Sequence, residues 1–212
     1  MARRYGTIRY QSSAAGDHAG RILGAAFAVF SERGYAGTST LEIATRAKVS
    51  KREIYALYRN KQGILAALIA SRAGRMRAAI DLPRVRDLAS LCALLEQAGA
   101  AILRTLCSAE VVAIFRLGIA EAARSPLVAK SLDEAGQKPL RGAVARYFAT
   151  LQSQGLLAKD DPAALAEQYL ALLAGNLRMR LLLGVAEAPS PADLEARARA
   201  AAAAFLGLYA AR

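Results

Sequence analysis

Two serine–glutamate pairs set eleven residues apart constrain this chain more than anything else in it: Ser39 with Glu42, and Ser50 with Glu53. In each, the hydroxyl can accept from the backbone N–H three residues on while the carboxylate reaches back to the cap, so each pair starts a helix. The spacing leaves about two turns for the helix between them, which must end in a tight turn before the next begins. Ile43, Ala44 and Ala47 face inward from this second helix, Ile54 and Tyr58 from the third, and Val49 plugs the turn. Ala44 is small enough for the close crossing of a helix-turn-helix. A first helix, with Asp17 as its N-cap, carries Ile22, Leu23, Ala26, Phe27 and Phe30 along one stripe and stops at Gly34 in a left-handed position. Asn60 caps the helix that follows.

With the apolar side of the third helix committed inward, Lys51, Arg52 and Tyr55 share an outward patch near its start. Lysine and arginine there can donate to guanine O6 and N7, and a tyrosine ring can meet a thymine methyl, so the patch suits a DNA major groove. Thr38 and Thr40, beside the positive end of the second helix, suit a phosphate, as does Lys61 at the start of the fourth. Ser50 and Lys48 complete the expected DNA-facing set. Charge agrees. Residues 1–63 hold eleven Lys and Arg against four Asp and Glu, so +7 of the net +12 lies there, which suits a polyanion. Residues 1–16, with Arg3, Arg4 and Arg9, read as a disordered basic arm, a solvated tail before a minor-groove reader.

Residues 17–65, about a quarter of the chain, resemble the DNA-binding domain of the TetR/AcrR family of transcriptional regulators. The resemblance is carried by Gly34, Tyr35, Thr38, Ser39, Ile43, Ala44, Ala47, Val49, Ser50, Ile54, Tyr55, Tyr58 and Lys61. It implies a homodimer on a palindromic operator of double-stranded DNA, usually a repressor, released when a small-molecule effector enters the C-terminal domain. Two positions depart from the family pattern. Lys48 stands where glycine is usual, placing a charged residue in a strained turn conformation at a cost of about 1 kcal/mol. Leu57 stands where an aromatic residue or histidine is common, and it cannot hydrogen-bond a phosphate.

The remainder reads as helix throughout, so the fold class is all-α: a three-helix helix-turn-helix domain over 17–63 and a helical effector and dimerisation domain over 64–212. Helices are expected at 60–80, 86–106, 109–124, 126–154, 162–184 and 191–211, broken by Pro83, Pro126, Gly155 and the 188–191 segment. Residues 155–184 resemble one C-terminal subtype of the family, which implies that the last two helices pair with their symmetry mates. An effector pocket is expected among 86–106, 109–124, 126–154 and 162–184, walled by Phe115, Tyr147, Tyr169, Asn176 and Met179 with Arg116 or Arg180 as anchors. Asn176 leads that set, because an amide buried among leucines needs a partner. Core or dimer packing is the competing role for each.

Catalytic chemistry is not expected. There is one histidine, His18, no phosphate loop, no nucleophile elbow and no metal-ligand spacing, so no cofactor or metal is expected either. Cys92 and Cys107 are isolated and read as free thiols of a cytoplasmic protein. No secretory leader is visible, and the apolar 201–211 tail is too short to span a bilayer. The alternative function is a helical, DNA-associated interaction protein without an effector, and third comes binding to a membrane surface.

Overall fold

The computed structural model describes residues 13–77 and 83–211, without the side chains of 13–17, 72–77 and 135. Arg3, Arg4 and Arg9 of the expected basic arm lie outside the described residues. Contacts divide the chain into two compact units after Leu68, within the fourth helix and past the 63/64 boundary expected from the sequence.

The first unit holds α1 (Ser13–Arg33), α2 (Thr40–Ala47), α3 (Lys51–Tyr58) and the start of α4 (Lys61–Arg77). The first helix already includes Ser13, the first described residue, so Asp17 lies inside it and is not its cap; Ala14 and Ala15 favour helix there. Its buried stripe is Ile22, Ala25, Ala26, Val29 and Phe30, with Leu23 and Phe27 half-buried at the edge. Helix α2 packs on α1, and Ile43, Ala44 and Ala47, with Ile54 of α3 and Ile64, Leu65 and Leu68 of α4, are all buried. Asn60 caps α4 as expected, its side-chain oxygen accepting from Gly63 N at 2.8 Å.

The second unit comprises α5 (Leu88–Leu106), α6 (Ala109–Ala122), α7 (Pro126–Leu132), α8 (Lys138–Ser153), α9 (Pro162–Ala174), α10 (Leu177–Leu183) and α11 (Pro191–Tyr209). Among the described residues there is no β-strand, only an isolated antiparallel bridge between Leu157 and Ala210. The core centres on three rings: Phe148 stacks on Phe205 at 4.9 Å, and Tyr169 meets both edge-on at 5.8 and 5.4 Å. Ala198, Ala201 and Ala202 bring α11 close against α5 and α9, since small side chains shorten the distance between helix axes. At 19 residues, α5 is the one described helix long and apolar enough to cross a membrane; its Leu91, Leu95, Ala100 and Leu103 are buried in this core.

Two of the expected helices are interrupted. The 126–154 helix contains a π-helical turn at Asp133–Gln137, between α7 and α8, the kind of bulge that one extra residue in a turn produces. The 162–184 helix breaks at Gly175, whose φ of +48° and ψ of −136° lie in a region open only to glycine. The Arg197 guanidinium lies 3.5 Å from the carbonyls of Leu173 and Ala174, where it serves acceptors that the broken helix leaves without N–H partners. The Gly175 break thus has a partner, Arg197, distant in sequence.

Candidate nucleic-acid interface

The Ser50 cap determines which way α3 points. Ser50 Oγ accepts from Glu53 N at 3.2 Å, while a Glu53 carboxylate oxygen accepts from Ser50 N and from the Ser50 hydroxyl, each at 2.7 Å. The Ser50 hydroxyl is therefore used inside the cap. These hydrogen bonds, with His18 adding to them, hold the Glu53 carboxyl below the usual carboxylate range. The other Glu53 oxygen lies 3.1 Å from His18 Nδ1, tying α3 to α1. Ser39 caps α2 by accepting from Glu42 N at 3.1 Å, but the return half of this box is absent. Glu42 instead pairs with Arg33 at 2.8 Å, and Arg46 pairs with Glu32 at 2.6 Å, so two ion pairs join α1 to α2.

Between α2 and α3 the chain turns at Lys48, with φ +54° and ψ +48°. This is the left-handed conformation that a glycine would adopt without strain. The Lys48 side chain is exposed and Val49 is half-buried beneath the turn. On α3, Ile54 is fully buried, while Lys51, Arg52 and Tyr55 are exposed together. The Lys51 ammonium stands 5.7 Å over the Tyr55 ring, and the Tyr55 hydroxyl lies 3.5 Å from Thr40 Oγ1. The start of α2 and the outer face of α3 thus form one surface, cationic and aromatic, with no carboxylate among these four side chains. Leu57, two residues after Tyr55, is about half exposed on another side of α3.

Two expected contacts are spoken for within the protein. Thr38 is buried, and its hydroxyl donates to Gly34 O at 2.7 Å and to Val29 O at 3.4 Å. It bolts the chain leaving α1 and presents no hydroxyl to a phosphate. The Lys61 ammonium lies over the Tyr35 ring at 4.4 Å and donates to the carbonyls of Tyr35, Ala36 and Thr38 at 2.7, 3.5 and 2.8 Å. An ammonium has three N–H donors, and all three have acceptors here. The sequence pattern identified both as functional; in the structure they build the turn that carries α2.

A family model for the tetR family of bacterial regulatory proteins matches residues 22–68, and one for the AefR-like transcriptional repressor C-terminal domain matches residues 93–211. The chain belongs to the TetR family. It is a transcriptional regulator whose helix-turn-helix binds DNA, on an all-α fold. Among its relatives, the uncharacterized HTH-type regulator YvkB of Bacillus subtilis strain 168 is 26% identical over 167 residues, 77% of this chain and 83% of that protein. A TetR-family regulator from Mesorhizobium loti MAFF303099 superposes with a TM-score of 0.84 at 26% identity, covering 94% of this chain and 100% of that one. The flavonoid-responsive regulator FrrA gives 0.78 at 27% identity, covering 93% and 99%.

The C-terminal unit of this TetR-family chain holds a cavity of about 240 Å³. Its walls are mainly Ile102, Leu106, Phe115, Leu140, Leu170 and Leu173, with Arg141, Glu167 and Arg178 among the polar lining. Of the seven effector residues expected from sequence, only Phe115 is there. Tyr169 is core, its hydroxyl donating to Leu95 O at 2.6 Å, and burial pushes its phenol well above the ordinary range. Tyr147 donates to Pro83 O at 2.9 Å. Arg116 is taken by the carbonyls of Leu181 and Leu182 at 2.6 and 2.9 Å. Asn176 is exposed at the helix break and needs no buried partner; Met179 and Arg180 are exposed too. Arg141 and Arg178 are the cations on the cavity wall, and Arg178 lies two residues before Arg180. Two residues are about 200° of helical rotation, so choosing the wrong arginine of Arg178-Met179-Arg180 placed the anchor on the opposite face.

Proposed function

We propose that this chain is a ligand-responsive repressor that binds a palindromic operator as a homodimer in the cytoplasm. The observation that carries the DNA reading is the joint exposure of Lys51, Arg52 and Tyr55 above a fully buried Ile54. Arg52 and Lys51 donate to base edges, Tyr55 adds apolar contact, and Thr40 with Lys48 positions the head on phosphates. Dimerisation is supported by apolar side chains left open along the last three helices: Leu172, Met179, Leu183 and Leu208. A two-fold interface over that surface would cover them and repeat the reading head at a fixed spacing.

Effector response is supported by the cavity and by the responsiveness that FrrA's name records for that relative. An effector releases operator only if it binds the DNA-free arrangement more tightly than the DNA-bound one. Footprinting on the DNA flanking the chain's own coding region, together with sedimentation of the free protein, tests the proposal. One protected inverted repeat and a dimer are expected. A uniform, salt-labile smear would favour instead a DNA-associated interaction protein without sequence preference.

A further inference from the structure

Among the described residues of the second unit three arginines are partly buried, Arg141, Arg178 and Arg197, and Arg197 lies on the carbonyls of Leu173 and Ala174. Arg141 has carboxylates at 2.9 Å (Asp133) and 3.7 Å (Glu167), Arg199 faces Glu96 at 3.8 Å, and Arg116 is capped by carbonyls. The Arg178 guanidinium has no carboxylate within 4 Å among the described residues. It lies instead on the face of Phe115, 4.1 Å from the ring centroid, at the wall of the apolar cavity. It is only half-exposed, and burial lowers its pKa from the ordinary arginine value, while an arginine stays charged in a protein whatever its surroundings. A charged, partly desolvated guanidinium beside an apolar void is costly unless something anionic completes it. The ring fixes one face of the planar group and leaves its edge, with paired N–H donors, for a bidentate partner.

We infer that the effector is a small organic carboxylate: an apolar body filling the cavity and a carboxylate received edge-on by Arg178. This rests on the effector reading above and narrows it to a chemical class. The neighbouring Arg141 is already shared between Asp133 and Glu167 and so does not compete for the anion. The volume, about 240 Å³, falls below the 300–1,000 Å³ usual for drug-sized ligands, which favours a body about as large as one ring with a short chain. Phe115 contributes twice, holding the guanidinium flat and closing the apolar wall.

The test titrates the full-length protein with phenylacetate, 3-phenylpropionate, indole-3-acetate and octanoate, each beside its neutral primary amide, by calorimetry and by thermal denaturation. At least one acid should bind tenfold or more tighter than its amide. Arg178→Met, which keeps an apolar stem of similar reach, should erase that preference while leaving helix content and the dimer unchanged. Arg178→Lys should retain part of it, as a point charge without the bidentate edge. Equal binding of acids and amides, or a preference that survives in Arg178→Met, overturns the carboxylate assignment and leaves the effector reading standing. Binding of neither set by the wild-type chain overturns both.

Discussion

The two units of this chain are held together by different chemistry. The N-terminal unit is stitched by short-range polar devices: the Ser50–Glu53 box, the Ser39 cap, two ion pairs between α1 and α2, and Lys61 closed on three carbonyls. The C-terminal unit is held by apolar packing around Phe148, Tyr169 and Phe205, with a helix break at Gly175. A head that must present three side chains in fixed register gains from directional bonds. A body that must enclose a void gains from side chains able to repack around it.

If the body rests on its aromatic cluster, the largest loss should come from Phe205→Ala. Removing a fully buried ring that touches Phe148, Tyr169 and Tyr209 should cost about 3–5 kcal/mol in chemical denaturation. In the head, Lys61→Met keeps the stem and deletes the donors. It should cost about 2 kcal/mol, because three carbonyls lose a charged partner. Its effect on specific and non-specific DNA binding should be equal, since the ammonium acts by building the α1–α2 turn.

Lys48→Gly should do the reverse and stabilise the head by about 1 kcal/mol, by removing a side chain from the left-handed turn. The same variant gives a second readout: if Lys48 also touches phosphate, the salt dependence of DNA binding becomes shallower by about one ion. The smallest effect is the pH response of the Ser50 cap. Glu53 titrates lower in the folded protein than its ordinary value. Its contribution is therefore present above the ordinary glutamate pKa, about 4.3, and fades as pH falls through the lower folded value. Acid titration followed by circular dichroism should show α3 loosening in that window, and Glu53→Gln should flatten this part of the curve.

The same contrast explains what the sequence disclosed. Caps, turn residues and inward stripes act over three to eleven residues, so the head's helices, the Asn60 cap and the left-handed turn at Lys48 could be read directly. Thr38 and Lys61 were misread because a side chain that completes a turn and one that binds phosphate use the same donors. Only the 2.7 Å contacts to Gly34 O and Tyr35 O distinguish them. In the body, long runs of Ala and Leu fix helix but not its interruptions. The break at Gly175, where Arg197 meets the freed carbonyls, sets a new helical register in which Arg178 lines the cavity while Asn176 faces solvent. Arg178 lies beyond the Gly175 break, so helical spacing from Ala171 and Ala174 does not carry through to it.

The central claim is that α3 reads bases through Arg52. The most direct measurement is fluorescence anisotropy of wild-type and Arg52→Ala protein on the footprinted inverted repeat and on a scrambled duplex of equal length and salt. Arg52→Ala should weaken the inverted repeat by about 1–3 kcal/mol, roughly five- to 150-fold, and leave the scrambled duplex nearly unchanged. Equal weakening on both duplexes would contradict base reading by this helix.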